Sequence, residues 1–477
     1  MWAEAGEDGD VTLVELVRQL QRGEVTPLEA ARTCLDRIEG ERLGAFVEVT
    51  AERALAQAAA LGEPPEDPPA LWGVPLADKD LVARAGVPTR YGSRAFRDNV
   101  PTVSDPIAAA LDRLGSVSLG KTSTPEFGMT GYTEPAAGAP ARNPWDPTTG
   151  AGGSSGGAAI AVATGMLPAA PASDAGGSIR IPAATVGVVG LKPSRGRLPF
   201  ANGLSGTGGL STAGPIARTV EDAAYLLDAL IGSAPHRNAT RAPDPVPTGS
   251  FVAALRTDPG RLRIGTTLVT PWDGWTDTTL DPGARDAYDW AARTLAAAHD
   301  VDDAAWQPRG YPEMFTTIWR ASAAGLPVAD DDLDALVEPF TAWMAREARA
   351  MPASEAIGGF EAASAFERQT IEAFSPFDAV LTPALAMSPR PLGWFSSDTS
   401  PLENFARQCQ YAPHTSFVNV AGLPAITVPA PAAPGQRPWS VQLVGRPGGE
   451  TRILQLAAQL ERARGPLPWP ANAPTTP

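Results

Sequence analysis

The stretch from 150 to 183, GAGGSSGGAAIAVATGMLPAAPASDAGGSIRIPA, limits what this chain can fold into more than any other. Two glycine-flanked serine clusters lie in it, with Ser154 and Ser178 24 residues apart and an alanine-rich, helix-forming segment between them. A flexible Gly/Ser linker would sit between polar flanks. Here AAIAVATG and IRIPAATVGVVGLKP surround the glycines with core-forming sequence. The glycines therefore belong in a packed interior, where they let the backbone approach a ligand closely and take angles closed to other residues. Consecutive amides in DAGGS can converge on the negative charge that develops during acyl transfer.

A serine that attacks a carbonyl needs a base. The chain has three histidines, His236, His299 and His414, and none stands in a Gly-rich turn or beside a strand-end acid. A Ser-His-Asp arrangement is not supported, although His414, in QYAPHTSF, could line a cleft. The lysines say more. Of 38 lysines and arginines only Lys79, Lys121 and Lys192 are lysine. Arginine stays protonated at any working pH, whereas a buried lysine can lose its proton and serve as a base. Lys79, in GVPLADKD, sits on a short apolar strand that should bury it; desolvation would lower its pKa and leave part of it as a neutral amine.

Residues 115–122, GSVSLGKT, fit the phosphate-loop pattern G-x-x-x-x-G-K-[ST], but that loop must follow a strand and open a helix. The preceding LDRL reads as a helix end and SVSLG as the strand itself. Pro125, Gly128 and Gly131 then spoil any long helix. Lys121 is expected to end a strand near a site, and nucleotide binding is kept as a remote alternative.

The rest of the chain reads as α/β. Leu13, Leu16, Val17 and Leu20 form one face of a first helix. A second opens at Thr26 with Pro27 and Glu29 completing a capping box. From 100 to 200, short β-like runs alternate with alanine-rich helical stretches, which suggests an α/β core. A Pro-rich connection spans 234–250. After it come the strand LRIGTTLV, the helix GARDAYDWAARTLAAAHD and a helical, Trp-bearing section over 305–375. FDAVLTPAL, GLPAITVPA and SVQLVG are buried strands, and ETRILQLAAQLERA is the closing amphipathic helix. At 477 residues, the chain allows several domains or one large one. A net charge of −15 speaks against nucleic acid or an anionic membrane as the main partner. No apolar run approaches the ~20 residues of a membrane span, and MWAEAGEDGD is acidic where a signal peptide would be basic and then greasy. Cys34 and Cys409 supply neither a disulfide framework nor a metal cluster. The expectation is a cytoplasmic protein without metal or cofactor.

GVPLADKD, LGKTSTPEFG, RNPWDP, GGSSGG, SDAGGSIRIPA, GLKPSRGR and NVAGLPAITVP, in this order, resemble the amidase signature family of hydrolases. The resemblance covers most of the chain and is densest from 72 to 200. It implies an α/β/α sandwich around a large twisted mixed β-sheet, as one domain over 1–477. Within it, N-terminal helices fill 1–60, a catalytic signature core 70–235, a helical cap over the cleft 300–375, and C-terminal strands and helix 376–465. It implies a Ser-cisSer-Lys triad in which Ser178 is the nucleophile, Ser154 the bridging serine after a cis peptide bond, and Lys79 the base. The amides of Ala175, Gly176, Gly177 and Ser178 would hold the oxyanion. Gly128 and Met129 would line the substrate site, with Asp174 and Arg180 bracing the turn. The activity implied is cofactor-free hydrolysis of a small-molecule amide to a carboxylic acid and an amine or ammonia, with no nucleic acid or membrane involved and a homodimer allowed. YTEPAAGAPARNPWD is similar to the segment of cyclic-oligoamide hydrolases, a pointer to linear or cyclic peptide-like amides. Trp306, Trp319 and Trp343 in the cap section are compatible with an aryl or otherwise apolar acyl group.

The motifs are shared with the glutaminase subunit of a tRNA-dependent amidotransferase, the alternative function. QYAPHTSFVNVAGLP differs from the acidic, Phe-bearing segment expected there. Four departures from the family pattern bear on the site. Ala175 stands where Thr is frequent, and Ser123 where Asn is common. The absence of a proline before the paired glycines predicts a looser loop. Asp78 precedes Lys79 where an apolar residue is typical; in a strand it should point to the opposite face, and otherwise its charge would raise the lysine's pKa.

Overall fold

Local capping sets the first elements. Thr12 caps the helix Leu13–Gln21 by accepting from the Glu15 amide. Thr26 and Glu29 form a reciprocal capping box on Pro27–Ile38, with Pro27 inside the start, as its sequence predicts. The apolar stripe Leu13, Leu16, Val17 and Leu20 is fully or nearly fully buried, and the first helix packs on the helix Val220–Gly232. There the Val14 amide donates to Asp222 at 2.9 Å. The structure, a computed structural model, describes residues 12–198, 207–232 and 246–471. His236 and most of the Pro-rich connection lie outside these residues.

The described strands are β1 (Phe46–Val49), β2 (Pro75–Lys79), β3 (Val117–Thr122), β4 (Ala169–Asp174), β5 (Val189–Lys192), β6 (Thr212–Ala217), β7 (Arg263–Thr266), β8 (Asp300–Asp303), β9 (Ala379–Pro383), β10 (Ala425–Pro429) and β11 (Ser440–Gly445). Eight of them form one mixed sheet in the order β4-β6-β5-β10-β11-β9-β7-β8. β7 pairs in parallel with β8 and β9, and the other ladders are antiparallel. A three-stranded sheet, β1-β3-β2, brings β2 beside β4. β4, β9, β10 and β11 are buried along their whole length, so they read in sequence as apolar or small-residue runs without alternation. β8 is the edge strand and is charged and exposed, which blunts the edge. With the helices Gly156–Ala163, Pro282–Ala296 and Glu450–Arg464 packed on these strands, the architecture is the expected α/β/α sandwich around a mixed sheet. No helix among the described residues is long and apolar enough to cross a membrane.

The pattern GSVSLGKT falls in β3, which runs through Lys121 and is buried throughout. No phosphate loop exists there, because the glycine-lysine pair continues a strand instead of turning into a helix. The 305–375 section is helical, with Tyr311–Ala321, Pro339–Ala350 and Ala353–Phe374 as its main helices. It has a core of its own, distinct from the main one. Trp306, 2% exposed, is part of that second core, with its ring 5.4 Å from Phe374 and 4.6 Å from Phe417. Trp306→Ala is expected to lower stability by about 3–5 kcal/mol through the cavity it leaves, read as a shift in the urea unfolding midpoint.

Candidate active site

Lys79 is the last residue of β2, and its side chain is 1% exposed. Its Nζ donates to Ser154 Oγ at 2.7 Å and to Ser173 Oγ at 3.3 Å. Burial pushes the Lys79 amine down to about 7, against an opposing pull from Asp174. Asp78 points the other way, as alternation along a strand requires, into a buried ion pair with Arg84. It therefore does not hold Lys79 in its charged form.

The peptide bond between Gly153 and Ser154 is cis. The segment leading into it is tied down by two backbone bonds, with the Gly150 amide donating to Arg390 O at 3.0 Å and the Ala151 amide to Ala141 O at 2.9 Å. Ser123, in the place of an asparagine, donates its hydroxyl to Gly44 O at 2.6 Å. Ser178 follows β4 in the next turn and is 8% exposed. Among the described residues no hydrogen bond joins the hydroxyls of Ser154 and Ser178; the two residues line one cavity.

Asp174, at the end of β4, organises that turn. It accepts from the Gly177 amide at 2.7 Å, the Ile179 amide at 3.1 Å, Arg180 Nε at 3.0 Å and Asn419 Nδ2 at 2.8 Å. Burial alone would raise its pKa, but Arg180 and then Lys192 and Asn419 overcome it and hold the carboxyl well below the usual carboxylate range. Arg180 also donates to Thr415 O at 2.9 Å, Gln442 Oε1 at 2.7 Å and Asn419 Oδ1 at 2.6 Å. Gly177 has a φ of 130°, and a Cβ there would meet Thr415 Oγ1 at 2.5 Å, so only glycine fits. Its amide is taken by Asp174, whereas Ala175, Gly176 and Ser178 keep amides that no group among the described residues accepts from. Nothing in the sequence pattern singles out Asn419, Thr415 and Gln442. Asn419 opens the NVAGLP motif, which marks the segment without revealing the side chain's role.

The other singled-out residues fall outside the cleft. Lys121 donates to Val82 O and, at 3.1 Å, to Thr89 Oγ1, and its Nζ lies 4.0 Å from Asp80. Lys192 donates to Pro193 O at 2.9 Å, and burial, reinforced by Arg180, pushes it down to about 7. His414 is fully buried with neither ring nitrogen partnered among the described residues, and burial pushes it down to about 4. It borders neither of the two cavities that Ser178 lines, although its neighbours Thr415 and Ser416 border one of them.

Two cavities meet at Ser178. Trp272, Phe315, Trp319 and Phe405 wall the first; Ser154, Ser173, Ser211 and Ser322 line the second. Gly128, Met129, Ser178 and Trp319 border both. Gly128 has a φ of 68°, and a Cβ there would meet Leu81 Cδ1 at 2.5 Å and Ser154 Oγ at 3.4 Å. Of the three tryptophans named from sequence, Trp319 reaches the site, Trp306 is core, and Trp343 lines a separate cavity beside Glu338.

Against this geometry stand the similarities to known proteins. The family model Amidase matches residues 29–454. A relative from Synechocystis sp. that carries an amidase name is 34% identical over 467 residues, covering 94% of this chain and 87% of that one. A glutamyl-tRNA(Gln) amidotransferase subunit from Carboxydothermus hydrogenoformans is 33% identical over 481 residues, covering 94% of this chain and 96% of that one. Among solved structures, that of 6-aminohexanoate cyclic dimer hydrolase superposes with a TM-score of 0.85 at 28% identity, covering 98% of both chains.

Asp174→Asn removes one partner of a fully buried ion pair and leaves the Arg180 charge uncompensated, so it should destabilise by about 3–5 kcal/mol in urea unfolding. The Asp302–Arg263 pair is about half exposed, and Asp302→Asn should change stability by less than about 1 kcal/mol. The folded-state pKa of Asp174 lies below its unfolded value. Its contribution is therefore present above the unfolded carboxylate pKa of about 3.9 and is lost as the pH falls.

Proposed function

The chain belongs to the amidase family and is an amide-hydrolysing enzyme; on that premise we propose that it cleaves a carboxamide C–N bond through a serine acyl-enzyme, using Lys79, Ser154 and Ser178. The observation that carries this reading is the 2.7 Å hydrogen bond from a buried Lys79, its pKa brought down to about 7, to Ser154 Oγ. An amine in that state is part neutral at physiological pH and can take a proton.

Ser178 Oγ attacks the carbonyl carbon as its proton passes to Ser154 and the proton of Ser154 passes to Lys79. The oxyanion forms against the amides of Ala175, Gly176 and Ser178, whose donors need no reorganisation at that moment. Collapse breaks the C–N bond while Ser154 returns a proton to the departing nitrogen and takes one back from Lys79. An amine or ammonia leaves, and an ester to Ser178 remains. Water, deprotonated through the same relay, attacks the ester, releases the carboxylic acid and restores the Ser178 hydroxyl. Asp174 and Arg180 support the turn without touching the reacting atoms. Every proton position is a side chain or water, so the route uses no cofactor, and a small-molecule amide in the cytoplasm is the only partner it requires.

A glutaminase role within an amidotransferase is the second reading, favoured by the 33% identity to such a component. It would use the same chemistry but needs groups that hold both charged ends of glutamine.

Ser178→Ala should lower kcat on a 4-nitrophenyl ester or an amide by at least about 10^4-fold, and Lys79→Met nearly as far. Protonated Lys79 cannot act as a base. With its pKa brought down to about 7, kcat/KM should climb with pH through that value and then level off. A flat profile from about pH 6 to 9, with chemistry shown to limit the rate, would rule out Lys79 as the base.

A further inference from the structure

We infer that the aromatic cavity is the acyl subsite and selects an uncharged, flat apolar acyl group, while the cavity that Ser154 lines receives a small amine. The inference rests on the serine acyl-enzyme reading and adds the substrate class to it.

Direction comes from the proton. The tetrahedral carbon over Ser178 carries the serine oxygen, the oxyanion, the departing nitrogen and the acyl carbon. The nitrogen must face the group that protonates it, which is Ser154. Ser154 lines the cavity shared with Leu81 and Ser173 and does not line the aromatic one. The acyl carbon therefore leads into the aromatic cavity.

Its walls define what fits. Phe315 and Trp319 stack at 5.5 Å with planes 15° apart, and Trp272 stands edge-on to Phe315 and Phe405 at 5.8 and 5.9 Å. These rings offer faces and edges to a flat apolar group. Much of the hydrogen-bonding capacity of the polar side chains around them is already in use. Thr415 Oγ1 donates to Gly176 O at 2.8 Å, and Ser416 Oγ accepts from Tyr311 at 2.9 Å. Gln408 accepts from the Gly131 amide at 2.8 Å and donates to Asn404 at 2.6 Å. No charged side chain among the described residues lines either cavity. A carboxylate or an α-ammonium brought in with glutamine would be desolvated without a partner. The other cavity sets the hydroxyls of Ser173 and Ser211 among the apolar side chains of Leu81, Phe127 and Leu210, a lining that admits ammonia or a short amine.

The purified full chain tests this with paired substrates. 2-Phenylacetamide should be hydrolysed with a kcat/KM at least ~30-fold above acetamide and glutamine. N-methyl-2-phenylacetamide and its isomer N-benzylacetamide carry the same ring on opposite sides of the amide with similar leaving amines, and the first should be favoured about tenfold or more. Trp319→Ala and Phe405→Ala should each pull the phenylacetamide-to-acetamide ratio down by about tenfold. Trp343→Ala, in the separate cavity, should leave the ratio unchanged. Because both substrates are measured on one preparation, loss of folded protein cancels from the ratio. Equal turnover of glutamine, or preference for N-benzylacetamide, with Ser178 still labelled by a fluorophosphonate overturns the subsite assignment and leaves the hydrolase reading standing. Failure of Ser178 to label, with no amide cleaved, removes both.

Discussion

A carboxylate and a guanidinium sealed from water, Asp174 and Arg180, hold the turn that carries Ser178. Two buried charges are expensive to desolvate, and the pair is tolerable only because its remaining hydrogen-bonding capacity is used elsewhere. Asp174 takes up the Gly177 and Ile179 amides within the turn; Arg180 reaches Thr415, Asn419 and Gln442 far along the chain. The turn's shape is thereby set by partners from three segments, which leaves little freedom to the neighbouring amides of Ala175, Gly176 and Ser178. Gly177 is the point where this network and the backbone meet: its amide feeds Asp174, and its missing Cβ makes room for Thr415.

Asp174 also acts on Lys79. Burial favours the neutral amine, and the nearby Asp174 charge favours the ammonium. Asp78, the other carboxylate close in sequence, is turned away to Arg84. An amine poised near neutrality is thus the balance of one desolvation against one charge. Lysine scarcity goes with burial, since all three lysines are buried, but scarcity alone cannot rank them. Lys121 and Lys192 are equally deep, yet their donors go to backbone carbonyls and a threonine. Only Lys79 meets a serine beside the cleft.

What was legible in the sequence is what short-range chemistry fixes. The capping box at Thr26, the strand ending at Lys79, the buried runs of β9, β10 and β11 and the two serine clusters could be read because each pattern is contained within a few residues. Elements whose pattern depends on position in the sheet could not. β8, with the sequence DVDD, carries neither alternation nor apolar content, because an exposed edge needs charge more than burial. The contributions of Thr415, Asn419 and Gln442 depend on contacts more than 230 residues away from the turn they brace. The Gly177 amide illustrates the same limit at short range, since the sequence shows four consecutive amides near a serine but not which of them the aspartate claims. Residues 115–122 failed in the opposite sense: a matching pattern in β3, where burial on both faces leaves no loop for an anion.

The two unlike cavities at Ser178 share a glycine at 128. A Cβ there would press on the end of the Leu81 side chain and reach contact with Ser154 Oγ, and the left-handed backbone at that residue already disfavours one. Leaving the position bare keeps the waist open between the aromatic walls and the serine-lined side. An amide can then lie across Ser178 with its two halves in different environments. Apolar burial of one half supplies binding energy that fixes the carbonyl over the nucleophile, and energy spent on holding a near-attack geometry lowers the barrier instead of only tightening the complex. On the proposed reading, Ser154 stands on the side of the departing nitrogen, and selectivity and proton delivery share a cause in the asymmetry around Ser178, which starts from a glycine in PEFGM and a lysine in GVPLADKD.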